Sequence, residues 1–219
     1  KSGSVIVLDV QTGEVLAMAN QPSFNPNDRT NVKLDAVRNR AVTDMMEPGS
    51  TVKPFTLLAA LESGKFKPES VINTSPGRIK VSYKTFVDPH DYGRLDLAGI
   101  LTKSSQVGTT KLALQLNPDT TRELFERMGF GESIGSGFPG ETSGSLPSYR
   151  KWDPVTQSTF SFGYGISASA LQLARAYSIL ASNGFRKEVS MVALDDAPES
   201  VAVIDPKLTG LIRTMLETA

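Results

Sequence analysis

Pro54, in the stretch EPGSTVKPF at residues 47–55, constrains the fold of this chain more than any other single residue. Proline has no backbone N–H and its ring clashes with the preceding turn, so a helix accepts it only near its start. Around it Val52, Phe55, Leu58 and Ala59 fall at helical spacing, and Gly64 supplies a stop. A helix therefore begins close to Ser50. Ser50 and Lys53 are three residues apart and share one face of it. The unpaired N–H groups at that end carry the positive end of the helix dipole, which suits the stabilisation of an oxyanion. A serine alcohol is a poor nucleophile on its own. Burial and the dipole both disfavour a charged amine, so Lys53 can serve as a base near neutral pH. Taken alone, so short a pattern reads first as an N-cap serine beside a solvated lysine.

The rest of the chain narrows the alternatives. With 219 residues and 39% apolar content it can bury one real core, a single mixed α/β domain. Lys plus Arg equals Asp plus Glu at 23 each, so no overall basic field points to nucleic acid. No apolar run of about 18 residues is present, and no secretory signal opens the chain. Cysteine is absent, which removes disulfides and thiolate chemistry and suits an oxidising compartment. His90, in VDPHDYG, is the only histidine; a Cys/His zinc site and HExxH are excluded, and a Ser-His-Asp triad would have to use this one residue. Its Pro/Gly-rich surroundings make it a solvated loop histidine.

The chain opens with SVIVLDVQTGEVLAMAN, where β-branched residues flank a Thr-Gly turn and predict a β-hairpin. Helices are predicted at NPDTTRELFERMGFG, with Asn117 as cap and Gly129 as stop, and at SASALQLARAYSILASNG, with an apolar stripe ending at Gly184. A last helix follows Asp205 and Pro206, with Leu208, Leu211, Ile212 and Met215 as its stripe. A hairpin alone makes a poor sheet, so further strands are expected beyond residue 219. Two sequence matches carry no chemistry. GSGFPG at residues 135–140 satisfies G-x-G-x-x-G, but no strand precedes it and Pro139 interrupts it. SGKF at residues 63–66 is a helix stop followed by a lysine.

Longer blocks overturn the bland reading of Ser50 and Lys53. SVIVLDVQTGEVLAMANQPSFNPN, RNRAVTDMMEPGSTVKPF, LTKSSQVGTTKLAL, GFPGETSG and STFSFGYGISASALQLARAY follow one another through nearly the whole chain. Together they resemble the transpeptidase domain of class B penicillin-binding proteins of the division-specific, penicillin-binding protein 3 type. The resemblance implies the fold shared with serine β-lactamases, an α/β (α+β) antiparallel sheet flanked by helices, here partial over residues 1–219 and incomplete at the C-terminus. It makes Ser50 the acylated nucleophile and Lys53 its general base. The second motif falls on Ser104, Ser105 and Gln106, with Ser104 relaying protons. Gln106 stands where the family has asparagine; its amide donates and accepts likewise, one methylene further from the backbone. The third motif, K-[ST]-G, is missing: KSG at residues 1–3 matches its letters but opens the first hairpin.

The implied reaction is acyl transfer. Ser50 attacks the carbonyl between two D-alanines of a peptidoglycan stem peptide, and an amine of a neighbouring stem takes the acyl group. A β-lactam antibiotic resembles D-Ala-D-Ala and traps the serine, and the reaction so implied requires no metal or organic cofactor. The Ser50 N–H would give half of an oxyanion hole, and a strand carrying the third motif the other half. Membership further implies an enzyme anchored in the bacterial inner membrane and facing the periplasm. Its partners there are divisome proteins, including a lipid-linked-glycan polymerase. A polypeptide ending at Ala219 is expected to be nearly inert to penicillin. The competing expectations are a serine β-lactamase and a non-catalytic or impaired penicillin-binding module.

Overall fold

The structure is a computed structural model that describes residues 2–28, 30, 32–148, 152–196 and 198–219. Lys1 of the KSG triplet lies outside the described residues, while Gly3 opens strand β1 (Gly3–Leu8). β1 pairs antiparallel with β2 (Val15–Gln21), with Val5 opposite Ala19 and Ile6 opposite Met18. Gly13 of the predicted Thr-Gly turn sits at φ +80°, a conformation open to glycine at little cost. One face of this hairpin presents Ile6, Leu8, Val15 and Met18 to a small core that includes Ala41, Val42, Leu171 and Val189. Ile6 and Leu8 share that side by the strand period of two, and a register shift between Val7 and Leu8 brings Val15, three residues before Met18, to the same side as Met18.

Two short helices follow, α1 (Leu34–Val37) and α2 (Arg40–Thr43), and then a 3-10 turn over Gly49–Val52 that runs directly into α3 (Lys53–Glu62). Pro54 occupies the first turn of α3, as its missing N–H demands. The expected stripe understates this helix. Every residue from Lys53 to Leu61 is buried, because α3 is enclosed by its neighbours on all sides. Small antiparallel pairs come next, β3 (Ile72–Asn73) with β6 (Arg94–Leu95) and β4 (Arg78–Val81) with β5 (Lys84–Val87). Ile79, Val81 and Phe86 bury one face of the second pair, in a stretch for which no element is predicted from the sequence.

The remaining elements are α4 (Leu97–Thr102), α5 (Gln106–Ala113), α6 (Pro118–Arg127), α7 (Pro154–Phe160), α8 (Ala170–Ala181), β7 (Phe185–Lys187), β8 (Ser200–Ala202) and α9 (Pro206–Leu216). Their ends follow local chemistry. Asn117, Asp153 and Asp205 accept N–H bonds at the starts of α6, α7 and α9, each with proline in the first turn. Ser169 and Gln172 form a reciprocal capping box on α8. Among the described residues every sheet is a two-stranded antiparallel pair. The first hairpin packs on α2 and α8 on one side. α3, α4, α5, α6, α8 and α9 enclose the main core.

At the centre of that core the Phe55 ring meets Phe125, Phe130 and Tyr177 edge-on, with centroids 6.0, 5.4 and 5.3 Å away. Such rings gain from contact geometry as well as from burial. Phe55→Ala is expected to cost about 3–5 kcal/mol of folding free energy. Urea denaturation measures this, and a loss below about 1 kcal/mol would mean that the α3 interior can repack around the gap.

Candidate active site

The 3-10 turn places Ser50 one position after Gly49, exposed, while Lys53 opens α3 with only 1% of its surface exposed. The turn is anchored from three directions. The Gly49 N–H donates to the Gly163 carbonyl at 3.1 Å, and the Tyr177 hydroxyl donates to the Thr51 carbonyl at 2.8 Å. The Thr51 hydroxyl closes onto the Pro48 carbonyl at 2.7 Å. Gly163, at φ +87°, must be glycine here. A Cβ on it would lie 2.1 Å from the Gly49 carbonyl oxygen, so the FGYG loop could not approach the serine turn. Glu47 adds a tie on the same side by accepting the Gly165 N–H at 2.9 Å.

The Lys53 side chain is the centre of this arrangement. Its amine donates to the Ser104 hydroxyl at 2.8 Å and also to the Ser104 carbonyl. Burial pushes the amine down from 10.5 to about 8, against a weaker upward pull from the Asp88 charge. An amine held there is neutral in a useful fraction of molecules near pH 7–8. Ser104 lies exposed between α4 and α5 at φ +51°, the left-handed region that a residue with a Cβ enters at a cost of about 1–2 kcal/mol. Backbone strain of that kind at a polar side chain facing a buried amine gathers where function requires it.

Ser105 and Gln106 behave differently from Ser104. Ser105 is fully buried and caps α5, its Oγ accepting the Gly108 N–H at 2.8 Å. Gln106 opens the helix half-buried, and no hydrogen bond holds its side-chain amide among the described residues. The structure therefore brings Lys53 and Ser104 into contact and sets Ser50 three residues before Lys53 on the same helical run. Gln106 stands at the edge of the group.

Asp88 is the residue that the sequence reading missed. It is 4% exposed and accepts the Ser105 hydroxyl at 2.5 Å, the Gln106 N–H at 2.6 Å and the Val107 N–H at 3.2 Å. The segment VDPHDYG drew notice for its histidine, yet His90 is exposed, with its ring against Tyr92 as a loop histidine would be. An Asp just after a strand, before Pro89, was the available signal. Nothing in the spacing says that it meets a serine 17 positions later.

The glycine-rich loop at residues 135–140 holds no room for a phosphate. Its donors face Glu141, which takes the N–H groups of Ile134, Gly135 and Ser136 at 2.6, 3.0 and 2.8 Å, and the hydroxyls of Ser133 and Ser136. Burial opposes ionisation of Glu141, but these hydrogen bonds together bring it down to about 2. The nest carries its own anion. At residues 63–66, Gly64 takes φ +69° and ends α3, and Lys65 reaches the Gln115 carbonyl at 2.8 Å. No cluster of residues able to hold a metal ion occurs among the described residues.

Comparison with known proteins follows the same lines. A family model described as the penicillin binding protein transpeptidase domain matches residues 3–219. The probable peptidoglycan D,D-transpeptidase PenA of Neisseria flavescens is 45% identical over 216 residues, 99% of this chain and 54% of that protein. The peptidoglycan D,D-transpeptidase FtsI of Escherichia coli K12 is 40% identical over 218 residues, covering 100% of this chain and 37% of that protein. The chain thus spans about half of the first relative and less of the second. Among solved structures, the transpeptidase domain of Burkholderia pseudomallei penicillin-binding protein 3 superposes with a TM-score of 0.88 at 35% identity, over 99% of this chain and 61% of that one.

The depressed amine has a thermodynamic signature with a definite sign. Folded Lys53 titrates at about 8 and the unfolded residue at 10.5, so between those values the unfolded chain binds more protons. Stability owed to Lys53 therefore rises with pH across that window and is at its lowest below it. Against Lys53→Met, which keeps the length without the amine, the wild type should gain relative stability between pH 7 and pH 10. Paired urea titrations test this, and a difference that stays constant across that range would contradict a depressed amine.

Proposed function

The chain belongs to the penicillin-binding protein transpeptidase family, and we propose that it carries the acyl-transfer site of a peptidoglycan D,D-transpeptidase within a single, partial transpeptidase domain. One observation supports this reading above the others: the Lys53 amine, buried and held down to about 8, lies 2.8 Å from the Ser104 hydroxyl and three residues after an exposed serine. In this reading Ser50 is the nucleophile, Lys53 the base and Ser104 the proton relay, the roles that the family pattern carries to these positions. Gln106 takes the place of the family's asparagine beside the substrate amide.

In the first step the Ser50 Oγ forms a bond to the carbonyl carbon of the penultimate D-alanine, and its proton passes to neutral Lys53. The tetrahedral intermediate collapses with breakage of the C–N bond, and the proton moves through Ser104 to the departing nitrogen of D-alanine. In the second step the amine of a neighbouring stem peptide attacks the ester carbonyl. It gives up a proton by the same route, and Ser50 leaves as the alcohol. The N–H of Ser50, at the first turn of a helical run, faces the developing oxyanion. A β-lactam enters the first step and stops there, because its leaving group stays tethered.

Stem peptides ending in D-Ala-D-Ala and β-lactam antibiotics are the ligands of this reading. Divisome proteins, among them a lipid-linked-glycan polymerase, are its partners, and the periplasmic face of a bacterial inner membrane is its place. No helix among the described residues is long and apolar enough to cross a membrane, so the anchor of this reading belongs outside them.

Intact-mass spectrometry of a full-length protein carrying this chain, incubated with penicillin, should show one adduct, located at Ser50 by peptide mapping. Ser50→Ala should abolish it. An adduct that survives in Ser50→Ala would place the nucleophile elsewhere.

A further inference from the structure

We propose that Asp88 is a positioning residue for this site: its buried carboxylate clamps the start of α5 and thereby holds the Ser104 hydroxyl against the Lys53 amine. This inference rests on the acyl-transfer reading above, and names the group that keeps two of its members together.

The geometry is that of a clamp with both jaws closed. Oδ2 of Asp88 accepts the Ser105 hydroxyl at 2.5 Å, while Oδ1 accepts the N–H groups of Gln106 and Val107 at 2.6 and 3.2 Å. The Ser105 oxygen in turn accepts the Gly108 N–H at 2.8 Å. One carboxylate and one hydroxyl thus answer the donors of the first turn of α5, where a negative charge is also favoured by the helix dipole. Asp88 is itself fixed from behind. Its N–H donates to the Gly77 carbonyl at 2.9 Å, and Phe86, two residues earlier, is buried among Val81, Val155 and Phe162. The clamp therefore ties the β4–β5 pair rigidly to α5.

Ser104 is the residue on which this rigidity acts. It joins α4 to α5 in the left-handed region, held in front by its own N–H to the Leu101 carbonyl at 2.9 Å and behind by Ser105. With the Ser105 side free, the turn could relax to an ordinary conformation and carry the hydroxyl off the amine. Asp88 acts on the amine a second way. Its negative charge favours the protonated form of Lys53, and it is the charged group whose field bears on that amine. The other neighbours of the amine, the Ser104 hydroxyl and carbonyl, are neutral.

Asp88→Asn tests the two effects together, in a full-length protein with wild type alongside. The amide keeps the shape and one acceptor but loses the charge. β-Lactam acylation should slow by about ten- to a hundredfold, the scale on which small misplacements act. The Lys53 amine, followed by NMR of labelled lysine side chains, should titrate at lower pH than in the wild type. The NMR readout needs no turnover, so it tests Asp88 even if Ser50 proves not to be the nucleophile. A wild-type acylation rate with an unmoved Lys53 titration would overturn the proposal, since a merely structural cap would leave that titration where it is. Asp88→Glu decides the matter should the amide variant not fold. It keeps the charge on a longer arm, so acylation should slow while the Lys53 titration stays near that of wild type; a wild-type acylation rate would again overturn it.

Discussion

The burial of one amine governs much of this structure. Lys53 is enclosed at the start of a helix that is itself enclosed, and water is excluded from a group that would ordinarily be fully hydrated. Desolvating an ammonium is costly, and the molecule answers by lowering its proton affinity and giving it the two oxygens of Ser104. A residue in this position weakens the fold near neutral pH. Core helices are normally lined with apolar side chains, and a lysine there is a departure from local consistency of the kind that functional sites require.

That departure is tolerated because the surroundings are stiff. α3 is buried along nearly its whole length and carries Phe55 into the middle of the aromatic cluster. The same Tyr177 that meets Phe55 also hydrogen-bonds the turn that holds Ser50, so the core and the serine turn share one anchor. On the opposite side Gly163 lets the FGYG loop press against Gly49. Packing thus fixes the Ser50 turn and the Lys53 helix as one body, while Asp88 binds Ser105 and the first N–H groups of α5, next to the turn that carries Ser104.

Much of this was legible in the sequence, and what was not has physical causes. Pro54 announced the helix start, because its ring permits few other positions. Thr12-Gly13, Asn117-Pro118, Asp205-Pro206 and the stop at Gly184 were equally local signals, and the elements follow them. The family blocks carried the pairing of Lys53 with Ser104, which no spacing rule would give across 51 positions. Short-range signals said little about α3 being buried on every side, since that depends on which helices enclose it. The β4–β5 pair was passed over because four-residue strands give too few alternations to stand out from a loop. Asp88 was invisible for a related reason. Its role comes from contact with a helix that lies far along the chain, and an aspartate before a proline looks like any turn.

The central claim is that Lys53 acts by exchanging a proton and not by charge alone. The acylation rate of Lys53→Arg, measured against wild type from pH 6 to pH 10 in a full-length protein, tests this most directly. Guanidinium keeps the positive charge but stays protonated throughout that range. The account predicts a rate at least about a hundredfold lower for the variant, with no rise centred near the wild-type midpoint. The wild type itself should accelerate through about pH 8, where its amine loses its proton. Comparable rates for Arg and Lys, with the same dependence on pH, would contradict it.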